Sequence, residues 1–208
     1  SGKTMAFLLP TVQKITDAMA SGSNNPANAP MALVLCPTRE LAQQVASDAI
    51  NLIKGTRGIR VATIVGGTSY FKQKQGLKGA QLVVATPGRL LDWVEQGGIS
   101  LARLQTLVLD EADRLLDAGF AEEVQAVLKH LPARRQQLMF SATFPDKLQG
   151  LAKDLMRDPV RIDIPAEVQA APDITQRAIQ VDEAKRSPLL RHLIKTQAWR
   201  QVLVFVAT

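Results

Sequence analysis

Several kinds of residue are scarce in this sequence, and each scarcity excludes a class of protein. The chain has 208 residues and one cysteine, Cys36. No internal disulfide is available, and a thiol at the end of an apolar run reads as a small buried side chain in a reducing, cytoplasmic setting. Its two histidines, His130 and His192, lie far apart and near no cluster with metal-ligand spacing; they read as surface or helix-end residues. Apolar runs such as Leu82–Ala85 and Val202–Ala207 are far too short to cross a bilayer, so no membrane association is expected. A charged leader before an apolar stretch is missing from the first residues, Ser1-Gly2-Lys3-Thr4, which also lack an initiating Met; a fragment without a signal peptide is expected. There is no internal repeat.

What is present suits a soluble globular protein. Hydrophobic residues make up 46% and charged residues 21%, and the length allows one full domain plus part of a second. The net charge of +6 is compatible with a polyanionic partner, though only if the basic residues gather at one place.

Helix-like and strand-like segments alternate. Phe7, Leu8, Val12, Ile15 and Met19 have helical spacing, and Pro10 is expected to kink or crowd that helix. Residues 21–30 read as a loop. Strands are expected at Ala32–Cys36, Val61–Val65, Leu82–Ala85, Thr106–Leu109, Gln137–Phe140 and Val160–Ile164, and helices at Glu40–Lys54, after Pro87, at Ala121–Leu131 and at Asp146–Met156. Strands apolar on both faces and separated by helices imply a parallel α/β sheet covered on both sides. Residues 165–173 then read as a linker. Thr175–Val181, Pro188–Lys195 and Val202–Ala207 follow as strand, helix and strand of an incomplete second unit, so the expected division is 1–164, 165–173 and 174–208.

Five of the strands end in polar clusters: Pro37-Thr38-Arg39-Glu40, Gly66-Gly67, Thr86-Pro87-Gly88-Arg89, Asp110-Glu111-Ala112-Asp113 and Ser141-Ala142-Thr143. In a parallel sheet all carboxyl ends lie along one edge, where ligands bind, so these clusters converge in space. Gly2-Lys3-Thr4 before a helix is the tail of a phosphate-binding loop: helix-start N–H groups favour an anion, Lys3 brings a positive charge and Thr4 a hydroxyl for a magnesium ion. Asp110 is suited to hold that ion and Glu111 to orient or deprotonate an attacking water. A solvated acidic turn is the plain alternative for Asp110-Glu111, but the presence of Lys3 and Thr4 in the expected chain order favours nucleotide hydrolysis.

Read in order, SGKT, PTREL, GG, TPGR, DEAD and SAT resemble the motif series of the DEAD-box RNA helicases over essentially the whole chain. Within that family the sequence is most similar to bacterial RhlE-like members. The resemblance implies a RecA-like α/β domain followed by the start of a second, an RNA-stimulated ATPase, ATP and Mg2+ as cofactors, and RNA as partner. It implies ATP binding at Ser1, Gly2, Lys3 and Thr4, Mg2+ at Thr4 and Asp110, and catalysis by Lys3, Asp110 and Glu111. It further implies coupling between domains through Asp113, Ser141 and Thr143, and RNA contact by Pro37, Thr38, Arg39, Gly67, Thr86, Gly88 and Arg89. Such contacts grip the sugar–phosphate chain, giving little sequence preference and a strong salt dependence. Structural alternatives stand beside these roles: Thr38 as a helix cap, Gly66-Gly67 as a turn, Pro87 as a helix starter, and Ser141 and Thr143 as caps near Pro145. Trp93 reads as core, and Lys72, Lys74 and Lys78 as a solvated face.

Two rival functions remain, a DNA-directed helicase of the same superfamily and an RNA-binding scaffold without hydrolysis. Asp113 with Pro37–Leu41 and Thr86–Arg89 argues against the first, and intact Lys3, Asp110 and Glu111 against the second. The isolated 208 residues are expected to show weak ATPase and negligible unwinding.

Overall fold

The computed structural model describes residues 2–22, 28–56, 58–117, 119–164 and 174–206. Ser1 and the 165–173 linker fall outside them. The chain divides into two compact units, Ser1–Pro159 and Val160–Thr208, a few residues short of the boundary expected after Ile164.

In the first unit, five short strands form one parallel sheet: β1 (Ala32–Leu35), β2 (Val61–Ile64), β3 (Leu82–Ala85), β4 (Thr106–Leu109) and β5 (Gln136–Met139), in the order β2-β3-β1-β4-β5. β1 is central, with Leu33 level with Val83 on one side and Leu107 on the other. Every residue of β1, β3 and β4 is buried, as strands covered on both faces require.

Side chains alternate between the two faces and so split the core in two. Leu33, Leu35, Val83, Ala85, Leu107 and Leu109 pack with the apolar sides of α4 (Pro87–Glu95), α5 (Ala112–Asp117), α6 (Ala121–Lys129) and α7 (Asp146–Leu155). Val34, Leu82, Val84 and Val108 pack on the other face with α1 (Gly2–Ala20) and α2 (Arg39–Leu52). Trp93 belongs to the first core and Cys36 to the second. α1 passes unbroken through Pro10, which is exposed. α3 (Tyr70–Leu77) has no counterpart in the sequence reading, because only Gln73 and Leu77 of its residues are buried and its apolar periodicity is correspondingly faint.

The expected strands at Val160–Ile164, Thr175–Val181 and Val202–Ala207 require correction. None forms a strand among the described residues, and Val160, Ile162, Leu203 and Phe205 are exposed. β-Branched sequence supplies propensity, but a strand is completed only by a hydrogen-bonding neighbour. The second unit offers a single 3-10 turn and α8 (Arg186–Thr196), with no sheet among its described residues to join.

Candidate functional site

β1, β3, β4 and β5 run parallel and in register, so the polar residues that follow them share one edge. The ladder extends into them: Asp110 N–H donates to Leu35 O at 3.0 Å, Phe140 N–H to Leu109 O at 2.8 Å and Ala112 N–H to Phe140 O at 2.9 Å. Glu111 breaks the strand with φ +48°, a left-handed conformation uncommon for a residue with a side chain. The chain reverses there into α5.

Asp110 is 5% exposed. Burial pushes its carboxyl above the usual range and the neighbouring Glu111 charge adds to this; the Glu111 N–H, donating at 3.0 Å, and the Lys3 ammonium act in the opposite sense. Lys3 Nζ donates to Ser141 O at 3.1 Å. Thr4, in the same turn of α1, is buried. Burial raises the Cys36 thiol as well, reinforced by the Asp110 and Glu111 charges, so Cys36 stays neutral as filler under the acidic turn. Glu111 Oε2 meets Arg114 Nη1 at 3.2 Å. A buried carboxylate with one backbone donor is a poor resting place for a full charge unless a cation joins it. The Asp110 carboxylate therefore fits a hard divalent cation such as Mg2+, which takes oxygen ligands and keeps several waters.

Ser141 and Thr143 do not cap the helix that follows. α7 has Pro145 at its N-cap and no side-chain cap bond. The hydroxyls turn to Asp113 instead: Thr143 Oγ1 donates to Asp113 Oδ2 at 2.6 Å, and Asp113 N–H donates to Ser141 Oγ at 3.4 Å. Burial alone would raise the Asp113 carboxyl, but the Thr143 and Ser141 hydroxyls and nearby backbone N–H groups outweigh it and hold it below the usual range.

Beside this cluster a cleft of about 460 Å³ is lined by Pro37, Thr38, Arg39, Glu40, Gly66, Thr86, Gly88, Arg89, Asp92 and Phe120. It unites three polar clusters that are separated in sequence. α2 and α4 both begin there, so two helix N-termini direct N–H groups and positive dipole ends towards it. Thr38 does cap α2, accepting from Leu41 N–H at 3.2 Å; Thr86 makes no such bond, and Pro87 starts α4. Gly67 lies next to this lining. It has φ +74°, and a Cβ there would come within 2.5 Å of Arg39 Nη1. The glycine thus lets Arg39 lie across the turn.

The sequence pattern described as "DEAD/DEAH box helicase" matches residues 1–151. The chain belongs to that family. It is 39% identical over its whole length to the DEAD-box ATP-dependent RNA helicase CshA of Geobacillus kaustophilus and to the ATP-dependent RNA helicase DbpA of Escherichia coli. It spans 43% and 44% of those two proteins. Its fold resembles that of the yeast DEAD-box splicing factor Prp28, with a TM-score of 0.69 and 33% identity over 80% of this chain and 40% of that one. The RecA-like reading of the sheet agrees with this likeness.

The DEAD-box frame leaves some cleft residues that the motif reading missed. Glu40, Asp92 and Phe120 line the cleft, and Tyr70 and Gln73 stand behind it in α3. Glu40 was legible in PTREL and Asp92 as the third residue after Arg89; nothing in the sequence around Tyr70 marks it. Lys72, Lys74 and Lys78 are exposed. Among the described residues no helix is long and apolar enough to cross a membrane.

Proposed function

We propose that this chain carries the ATP-binding motor lobe of an ATP-dependent RNA helicase. The carrying observation is a single polar network at the sheet edge. Lys3 meets the Ser141 carbonyl, Ser141 meets Asp113, and the Lys3 charge reaches Asp110.

In this reading the α1 N-terminus and Lys3 hold the terminal phosphates of ATP. Thr4 and Asp110 would hold Mg2+, which when bound neutralises charge on the phosphate oxygens. Glu111 accepts a proton from the attacking water or orients it, and Arg114 fixes the direction of its carboxylate. Ser1 and Gly2 belong to the tail of the same phosphate loop. Asp113, Ser141 and Thr143 transmit the state of the nucleotide site to a second motor lobe, because Ser141 touches both Lys3 and Asp113. We read 1–164 as the first lobe, 165–173 as a linker and 174–208 as the beginning of the second.

The cleft is the RNA-binding surface. Pro37, Thr38, Arg39, Gly67, Thr86, Gly88 and Arg89 present arginines, hydroxyls and helix-start N–H groups that suit phosphate oxygens, without a set of donors aimed at base edges. Binding is therefore tolerant of sequence, and preference for RNA over DNA comes from the 2′-hydroxyl. The placement with RhlE-like bacterial members rests on the sequence resemblance, and a cytoplasmic location on the single cysteine, Cys36.

Glu111→Gln in the full-length protein tests the reading. RNA-stimulated ATP hydrolysis should fall by about 10²–10⁴-fold, with ATP and RNA binding retained. Unchanged hydrolysis would remove Glu111 from its role. Competition between matched RNA and DNA strands separates RNA from DNA action.

A further inference from the structure

Arg89 sits in the cleft at the start of α4, yet the ring that covers it lies in α3, outside the motif series. Its Cζ lies 4.3 Å from the centre of the Tyr70 ring, in cation–π geometry. Its Nη1 donates to Thr68 O at 3.1 Å, and its Nε lies 3.5 Å from Asp92 Oδ2. The Tyr70 hydroxyl donates to the same Asp92 oxygen at 3.1 Å. Tyr70 therefore touches Arg89 twice, once by its ring face and once through the carboxylate they share.

Tyr70 is itself held from behind. Its ring centre lies 5.4 Å from that of the buried Trp93. Trp93 Nε1 donates to Gln73 Oε1 at 2.8 Å, and Gln73 Nε2 donates to Val65 O at 2.7 Å and to Thr68 O at 3.3 Å. This chain of contacts fastens α3 and α4 to the turn that carries Gly66 and Gly67. The Nη2 edge of Arg89 makes no hydrogen bond among the described residues, so its donors are available to an oxyanion.

We propose that Tyr70 is a positioning residue of the cleft, clamping the Arg89 guanidinium so that its Nη2 edge meets a phosphate of bound RNA. This rests on the reading of the cleft as the RNA-binding surface. The clamp removes rotamer freedom from a long side chain before RNA arrives, so less entropy is lost on binding. The aromatic face also covers one side of the guanidinium plane and leaves its edge for the ligand.

The test measures binding of a fluorescently labelled short oligouridylate to the full-length protein by anisotropy across a salt series. Tyr70→Leu should weaken binding by about 5-fold and lower the slope of log affinity against log salt by about one phosphate contact. Tyr70→Phe keeps the ring and loses only the hydroxyl bond, so about a 2-fold loss is expected; it carries the test if the leucine variant fails to fold. Tyr70→Leu combined with Arg89→Ala should bind no more weakly than Arg89→Ala alone, because both changes remove one interaction. Unsubstituted protein without salt-dependent RNA binding overturns the functional reading and the clamp with it. Normal binding by the unsubstituted protein, with additive losses in the double variant or an unchanged salt slope in Tyr70→Leu, overturns the clamp alone.

Discussion

Thr143 Oγ1 donates to Asp113 Oδ2 at 2.6 Å, across 30 residues of sequence, and so joins the segment after β5 to the helix that follows β4. The Asp113 backbone N–H donates to Ser141 Oγ at 3.4 Å. Two strand ends that carry separate motifs are thereby held as one unit.

Thr143→Ala should uncouple that unit. The Asp113 carboxyl then rises towards the ordinary range, since the Thr143 hydroxyl is the largest of the groups that hold it down. A depressed carboxylate contributes stability that is present above its unfolded-state pKa of about 3.9 and lost as pH falls through the lower folded-state value. The variant should lose that contribution at neutral pH, under about 1 kcal/mol because Asp113 is partly solvated, and differ little from the parent in strong acid. Urea unfolding at neutral and acid pH checks this. In the full-length protein, duplex unwinding should fall more than RNA-stimulated ATPase; equal losses would contradict a coupling role.

Asp110→Asn should separate stability from activity. The Asp110 carboxyl is raised by burial, so its ionised form opposes folding. The stability linked to its protonated form is fully present below the unfolded pKa and is lost as pH rises through the folded value. Removing the charge should therefore stabilise the protein at neutral pH in magnesium- and nucleotide-free buffer. Each kcal/mol recovered lifts the thermal midpoint by about 2–4 °C. ATP hydrolysis should be abolished in the same variant. A lower midpoint at neutral pH would show that the Lys3 interaction outweighs the cost of burial.

Gly67→Ala should damage the cleft through the backbone. A side chain at φ +74° is strained, and the added Cβ would displace Arg39 Nη1 from 2.5 Å away. A loss of about 1–2 kcal/mol in stability is expected, together with weaker RNA binding as Arg39 moves. Gly88→Ala meets no neighbouring atom within 4 Å and serves as the stability control. Equal melting temperatures for the two variants would sink the argument.

Much of the first unit was legible. The apolar runs from Ala32, Leu82 and Thr106 stand in the structure as β1, β3 and β4, because strands buried on both faces need continuous hydrophobic sequence. Placing the polar clusters at strand ends also placed them on one edge, since a parallel sheet leaves no other arrangement. α3 was not legible, because it rests on Gln73 and Leu77 alone. The expected strands beyond Pro159 found no strand partner among the described residues.

The sequence by itself determined which residue types stand at the carboxyl end of each strand, among them the acidic pair and the hydroxyl pair, and the Gly2-Lys3-Thr4 run that opens α1. Those depend on local order along the chain, which a sequence records directly. The strand order β2-β3-β1-β4-β5, the closeness of Lys3 to Ser141 and the hold of Tyr70 on Arg89 were decided only by tertiary structure. Each is a relation between distant segments, fixed when packing of the two faces sets which strand lies beside which.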